Sequence, residues 1–130
     1  MVPVGHPLAE AERVTLRQIA KYSLILPPKN LRLTCRRILE ERFQKLGLDY
    51  QIVMESSNVE LTSLYVEMGL GISFATVVRD LSALEKRNLA FIPMNTLLKP
   101  DLIAVVMRRD KVLTSYKSAF INILFGEGVD

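Results

Sequence analysis

Cysteine is almost absent from this chain: Cys35 is the only one among 130 residues. That excludes an intramolecular disulfide and any cysteine-cluster metal site, and it suits a reducing compartment. Histidine is equally scarce. His6 is the sole imidazole, and it falls in a leading segment where no regular structure is expected, so a nucleophile paired with a histidine base has little to draw on. Long apolar runs are missing too: no stretch approaches ~20 uninterrupted apolar residues. The start, Met1-Val2-Pro3-Val4-Gly5-His6-Pro7, lacks the basic segment and apolar core of an export signal. A cytoplasmic protein without a membrane span is therefore expected. Glycine-rich phosphate loops are also lacking, because Gly69-Leu70-Gly71 lies between a helix and the next strand, the reverse of the dinucleotide-binding order. There is no internal repeat and no low-complexity tract. Cys35 sits on an apolar helical stripe and reads as a small core residue. The carboxylates Glu40 and Glu41 lie on a helix exterior, where they serve solubility. Neither a catalytic residue, a metal site nor a cofactor is expected.

What is present is the mixture of a soluble, folded, single-domain protein: 49% hydrophobic and 24% charged residues. The net charge of +3 comes from 17 basic residues spread among 14 acidic ones, which reads as solvated surface. Direct nucleic-acid binding is the minor reading, since no helix-turn-helix pair and no basic stripe are evident. Arg108, Arg109 and Lys111, interrupted by Asp110, read as a solvated turn.

Patterning along the chain predicts alternating strands and helices. Two prolines and a glycine open an extended segment; Thr15-Leu16-Arg17-Gln18 is a capping box that starts a short helical turn over residues 16–20. Ser23-Leu24-Ile25-Leu26 reads as a buried strand stopped by Pro27-Pro28. Leu31, Cys35, Ile38, Leu39, Phe43 and Leu46 then recur at helical spacing up to Gly47, with Arg36–Glu40 and Arg37–Glu41 pairs on the wet face. Tyr50-Gln51-Ile52-Val53-Met54 is a second strand, and Ser57-Asn58-Val59-Glu60 a capping box for a helix that Gly69 ends. Residues 71–76 give a third strand. Leu81 and Leu84 suggest a short helix ending near Asn88, then a strand over residues 89–92 stopped by Pro93. Residues 102–107 read as a strand covered on both faces. A last helix starts at Thr114 and presents Tyr116, Ala119, Phe120, Ile123 and Leu124. The succession predicts an α/β fold with a mainly parallel, doubly wound sheet.

Helix starts that follow parallel strands share one sheet edge. Lys29-Asn30, Ser56-Ser57-Asn58 and Ala75-Thr76 occupy those points. Free N–H groups and the positive end of the helix dipole suit such an edge to small anions or carboxylates, although Ser57 and Asn58 can equally be plain helix caps.

The residues also resemble a family. Gly5-His6-Pro7-Leu8-Ala9, Val14-Thr15-Leu16-Arg17-Gln18-Ile19-Ala20 and Leu24-Ile25-Leu26 look like the crossing from the first to the second subdomain of LysR-type transcription regulators. Residues 43–48 and 51–55 are similar to that family's helix and strand around "GL…V.E", and residues 64–73 to its "LV..GLGI" signature. Residues 104–110, with Leu113, Ala119, Phe120 and Ile121, resemble its closing strand and helix. The likeness runs from about residue 6 to residue 124. It implies a periplasmic-binding-protein type II-like subdomain, with residues 1–22 as a leading hinge segment. Residues 23–130 are then the second regulatory subdomain of an effector-binding domain with its returning strand and helix.

By this resemblance the chain is the inducer-sensing module of a LysR-type regulator. A small, anionic inducer would be shared with a first subdomain outside this chain, and DNA would be read only through a missing N-terminal domain. The resemblance promotes Lys29, Asn30, Ser57, Asn58 and Thr76 to effector-binding candidates, with Arg32 as an anion partner. A half-built pocket implies weak ligand affinity and self-association through uncovered apolar surface. One departure stands out: many members carry a proline just after the third strand, where this chain has Ala75-Thr76-Val77. The alternatives are a freestanding solute-binding domain of the same fold and a small α/β enzyme.

Overall fold

The computed structural model describes residues 1–31, 34–75, 84, 86–98 and 104–125. Its elements run β1 (Val2–Pro3), α1 (Leu16–Ile19), β2 (Ser23–Leu26), α2 (Thr34–Lys45), β3 (Gln51–Glu55), α3 (Val59–Glu67), β4 (Ile72–Ser73), β5 (Leu89–Ala90) and α4 (Ser115–Phe125).

The organising strand is β2. It lies between β3 and β4, parallel to both, in a sheet of order β3-β2-β4. Strand residues alternate faces, and β2 is apolar on both. Leu24 and Leu26 pack with Leu16, Ile19, Leu39, Phe43 and Ile72, while Ile25 packs on the other face with Val66 and Met1. Both faces are covered, as the parallel, doubly wound expectation requires.

The pairing of β2 with β3 contains a bulge. Leu24 faces Ile52 and Ile25 faces Met54, so Val53 is the extra residue without a partner. The shift explains how Ile52 joins the Leu24 cluster and Met54, two residues on, joins the Ile25 cluster.

Local signals set the helix ends. Thr15 accepts from the Gln18 N–H, and the Gln18 side chain accepts from the Thr15 N–H at 2.9 Å, closing the box. After α2, Gly47 has φ +58° and the Leu48 N–H reaches the Phe43 carbonyl. After α3, Gly69 has φ +78° and the Leu70 N–H reaches the Tyr65 carbonyl. Both are left-handed terminations that a Gly-Leu pair supplies. Gly71 has a different role: a Cβ there would lie 2.7 Å from the Ser23 carbonyl oxygen, so the chain entering β4 approaches β2 too closely for a side chain.

Several expectations are corrected. The leading segment is not loose: Met1, Val2 and Leu8 are buried, and β1 pairs antiparallel with β5. Pro3 is tolerated because it lies in a two-residue edge ribbon. The α3 cap is Asn58, not Ser57; its Oδ1 accepts from the Leu61 N–H at 2.8 Å. The strands are shorter than the apolar runs, with β4 limited to Ile72–Ser73 and β5 to Leu89–Ala90. Of the helix suggested by Leu81 and Leu84 and expected to end near Asn88, Leu84, which is buried, and residues 86–88, which form a turn and bend, are described.

The largest correction concerns residues 102–107. Residues 102 and 103 lie outside the described set, and residues 104–107 form no strand. They pair with no described strand, and Val106 is 89% exposed. The final helix, α4, forms as expected, but it buries none of its residues.

Candidate functional site

Parallel pairing puts the C-terminal ends of β2, β3 and β4 on one edge, where open α/β sheets bind ligands. The Ser56 N–H donates to the Leu26 carbonyl at 3.0 Å and extends the β2–β3 ladder beyond the strands. The loop at residues 27–31 and the segment at residues 56–58 therefore leave the sheet side by side.

Each segment is shaped by its own sequence. Pro27 and Pro28 stop β2, and a turn closes when the Leu31 N–H donates to the Pro28 carbonyl at 3.1 Å. That turn exposes Lys29 and Asn30. In the second segment the buried Thr62 hydroxyl lies 2.8 Å from Ser56 Oγ and 2.7 Å from the Asn58 carbonyl, bracing the chain from inside α3. Ser57 and Asn58 remain exposed. Lys29, Asn30, Ser57 and Asn58 thus stand on the same sheet edge. Arg32 and Thr76 lie outside the described residues.

The charge that organises this edge was expected elsewhere. Helical spacing predicts Arg36 on the wet face of α2, yet it is only 4% exposed. The Arg36–Glu40 pair does form, Nε to Oε1 at 3.0 Å, but the guanidinium Nη1 also donates to the Pro27 carbonyl and to Glu55 Oε1. The i,i+4 rule identifies the local partner and says nothing of Glu55, 19 residues away. A signal was present: a cation in the first turn of a helix opposes the helix dipole, so something else must hold it. Burial works against the charge, and the hydrogen bonds that the guanidinium donates to Glu55 and Glu40 outweigh it, holding the guanidinium above its ordinary pKa.

Lys29 is bound differently. Its Nζ is 3.9 Å from Glu40 Oε1, the oxygen already engaged by Arg36, and its side chain is 72% exposed. Next to this group, Tyr50 stacks on Phe43 with ring centroids 4.7 Å apart. Burial and then the Glu40 charge push its phenol upward.

His6 is far from this chemistry. It lies against Tyr22, which precedes β2, so it stands toward the opposite sheet edge. Its Nδ1 accepts from the Leu8 N–H at 3.1 Å. Burial first, and the nearby N-terminal charge second, hold its pKa below the ordinary value. Cys35 is half-buried within α2. Among the described residues no group of three or more histidines, cysteines or acids could hold a metal ion, and no helix is long and apolar enough to cross a membrane.

Comparison with known proteins follows the same lines. The family model described as "LysR substrate binding domain" matches residues 1–127. The HTH-type transcriptional regulator CysB of Burkholderia cenocepacia is 29% identical over 126 residues, covering 95% of this chain and 39% of that protein. The regulator cbl of Escherichia coli is 26% identical over 123 residues, covering 95% of this chain and 38% of that protein. The chain therefore spans well under half the length of either. Among solved structures, the cofactor-binding domain of the Cbl transcriptional regulator matches with a TM-score of 0.63 at 26% identity, covering 94% of this chain and 52% of that one.

Proposed function

The chain belongs to the LysR substrate binding domain family, and from that premise we propose that it senses a small anionic effector at the C-terminal edge of its parallel sheet. The observation that carries the reading is the side-by-side exit of the loop holding Lys29 and Asn30 and the segment holding Ser57 and Asn58, joined by the Ser56–Leu26 hydrogen bond.

In this reading Lys29 supplies the charge and Ser57 a hydroxyl. Asn58 keeps its Oδ1 on the Leu61 N–H and offers its amide NH2 to the ligand. Arg32 and Thr76, outside the described residues, join the candidate set on the family resemblance alone. The first α3 N–H groups add the favourable end of a helix dipole. The opposing half of the cleft belongs to the rest of a longer regulator, which converts effector binding into a shifted quaternary state and reads DNA through another domain in the cytoplasm.

Residues 104–125 present Val106, Tyr116, Phe120 and Ile123 to solvent. This apolar surface drives the chain to self-associate on its own. Light scattering at rising concentration is expected to show dimers or larger species; a monodisperse monomer throughout would contradict this.

A thermal-shift screen of small carboxylates, aromatic acids, sulfate and amino-acid metabolites, run on this chain and on the full-length regulator, tests the effector reading. Hits on the full-length protein with weak or no response from this chain are expected. A strong hit on this chain alone would point to a self-contained site and overturn the shared-cleft reading.

A further inference from the structure

We propose that Arg36 is the positioning residue of the effector edge: its buried guanidinium fixes the spacing between the loop after β2 and the segment after β3, so that Lys29–Asn30 and Ser57–Asn58 face one ligand together. The proposal rests on the reading that this edge binds an effector.

Three observations carry it. Arg36 is the third residue of α2 and is buried, and both circumstances disfavour a cation. Its partners come from three separate places: the Pro27 carbonyl where β2 ends, Glu55 where β3 ends, and Glu40 one turn along α2. The first two are the points from which the two candidate segments leave the fold. A buried ion pair contributes little net stability compared with an apolar replacement, and its best-attested use is to fix an arrangement. The rigid guanidinium plane presents two nitrogens, Nε to Glu40 and Nη1 to Pro27 and Glu55, at a fixed separation; a single ammonium nitrogen at this position keeps the charge and loses that spread.

The same network divides labour between two cations. Glu40 Oε1 is taken by Arg36 at 3.0 Å, leaving Lys29 at 3.9 Å with only a loose attraction. Arg36 holds the edge, and Lys29 stays free to turn toward an incoming anion. Glu55 spends its charge on Arg36 rather than repelling that anion from Ser57 and Asn58.

Amide exchange on the whole 130-residue chain, measured by NMR without ligand, tests the proposal. The reporters are the Leu31 N–H, bonded to the Pro28 carbonyl, and the Ser56 N–H, bonded to the Leu26 carbonyl; the control is the Met68 N–H, bonded to Leu64 at the far end of α3. In Arg36→Lys, exchange at both reporters is expected to rise at least tenfold relative to Met68, although the positive charge is retained. An equal rise at all three amides, or none, would overturn the proposal and leave Arg36 a stabilising residue only. Should Arg36→Lys fail to fold, Glu55→Ala is read by the same criterion, since it removes the acceptor at the end of β3 and with it the link through Nη1 between that end and Pro27. Because no ligand is used, this result is independent of the effector screen, and the two readings fail separately.

Discussion

Two apolar runs in this protein meet opposite fates. Leu24, Ile25 and Leu26 of β2 are fully buried, with strands on both sides and side chains covering both faces, whereas residues 104–107 form no strand and are exposed. The helices repeat the contrast: Phe43 of α2 is fully buried, and Phe120 of α4 is 61% exposed. Hydrophobic content does not separate the members of either pair. Neighbours do, because burial belongs to a set of surfaces brought together and not to one segment. The described residues among the first 98 supply their own neighbours, and residues 104–125 leave their apolar side chains exposed.

That contrast can be broken or sharpened by substitution. Phe43→Ala should cost about 3–5 kcal/mol, since it empties a core position that also stacks on Tyr50. Urea unfolding followed by circular dichroism would measure it. Next in size, Gly71→Ala forces a Cβ against the Ser23 carbonyl and should cost roughly 1–3 kcal/mol; an unchanged midpoint would deny the close approach of β4 to β2. Removing the α3 cap with Asn58→Ala should cost about 1 kcal/mol, a loss that Asn58→Asp should largely avoid.

A smaller effect follows pH. Glu67 accepts from the Asn88 N–H at 2.9 Å and from Arg87 at 3.2 Å, which hold its carboxyl below the usual range. A carboxyl depressed in the folded state gives stability that is present above its unfolded pKa of 4.5 and lost as pH falls through the folded value. Unfolding midpoints should therefore decline less steeply below pH 4.5 in Glu67→Gln than in the parent. At the far end of the scale, Ile123→Ala on α4 should shift stability by no more than about 0.5 kcal/mol. A cost near that of Phe43→Ala would erase the contrast between the two regions.

The same contrast explains what the sequence could disclose. Gly47-Leu48 and Gly69-Leu70 declare their helix ends because a left-handed residue followed by a leucine is a local device. Thr15 and Gln18 declare a helix start for the same reason. Arg36 was half legible: spacing announced Glu40, while Glu55 became its partner only once β3 lay beside β2. Ser57 and Asn58 carry equal capping potential on paper, and backbone geometry chose Asn58. The strand expected over residues 102–107 was read from composition alone, which cannot tell whether a neighbouring strand exists. For the candidate site, strand-end topology was enough to bring Lys29, Asn30, Ser57 and Asn58 to one edge. The residue tying that edge together needed three-dimensional contacts to be seen.

The most direct test of an effector edge at the C-terminal ends of β2 and β3 is an amide chemical-shift map of the chain titrated with sulfate and small carboxylates. The account predicts that shifts gather at residues 29–31 and 56–58, even where binding is weak. Shifts gathered instead around His6 and Tyr22, or along α4, would contradict it.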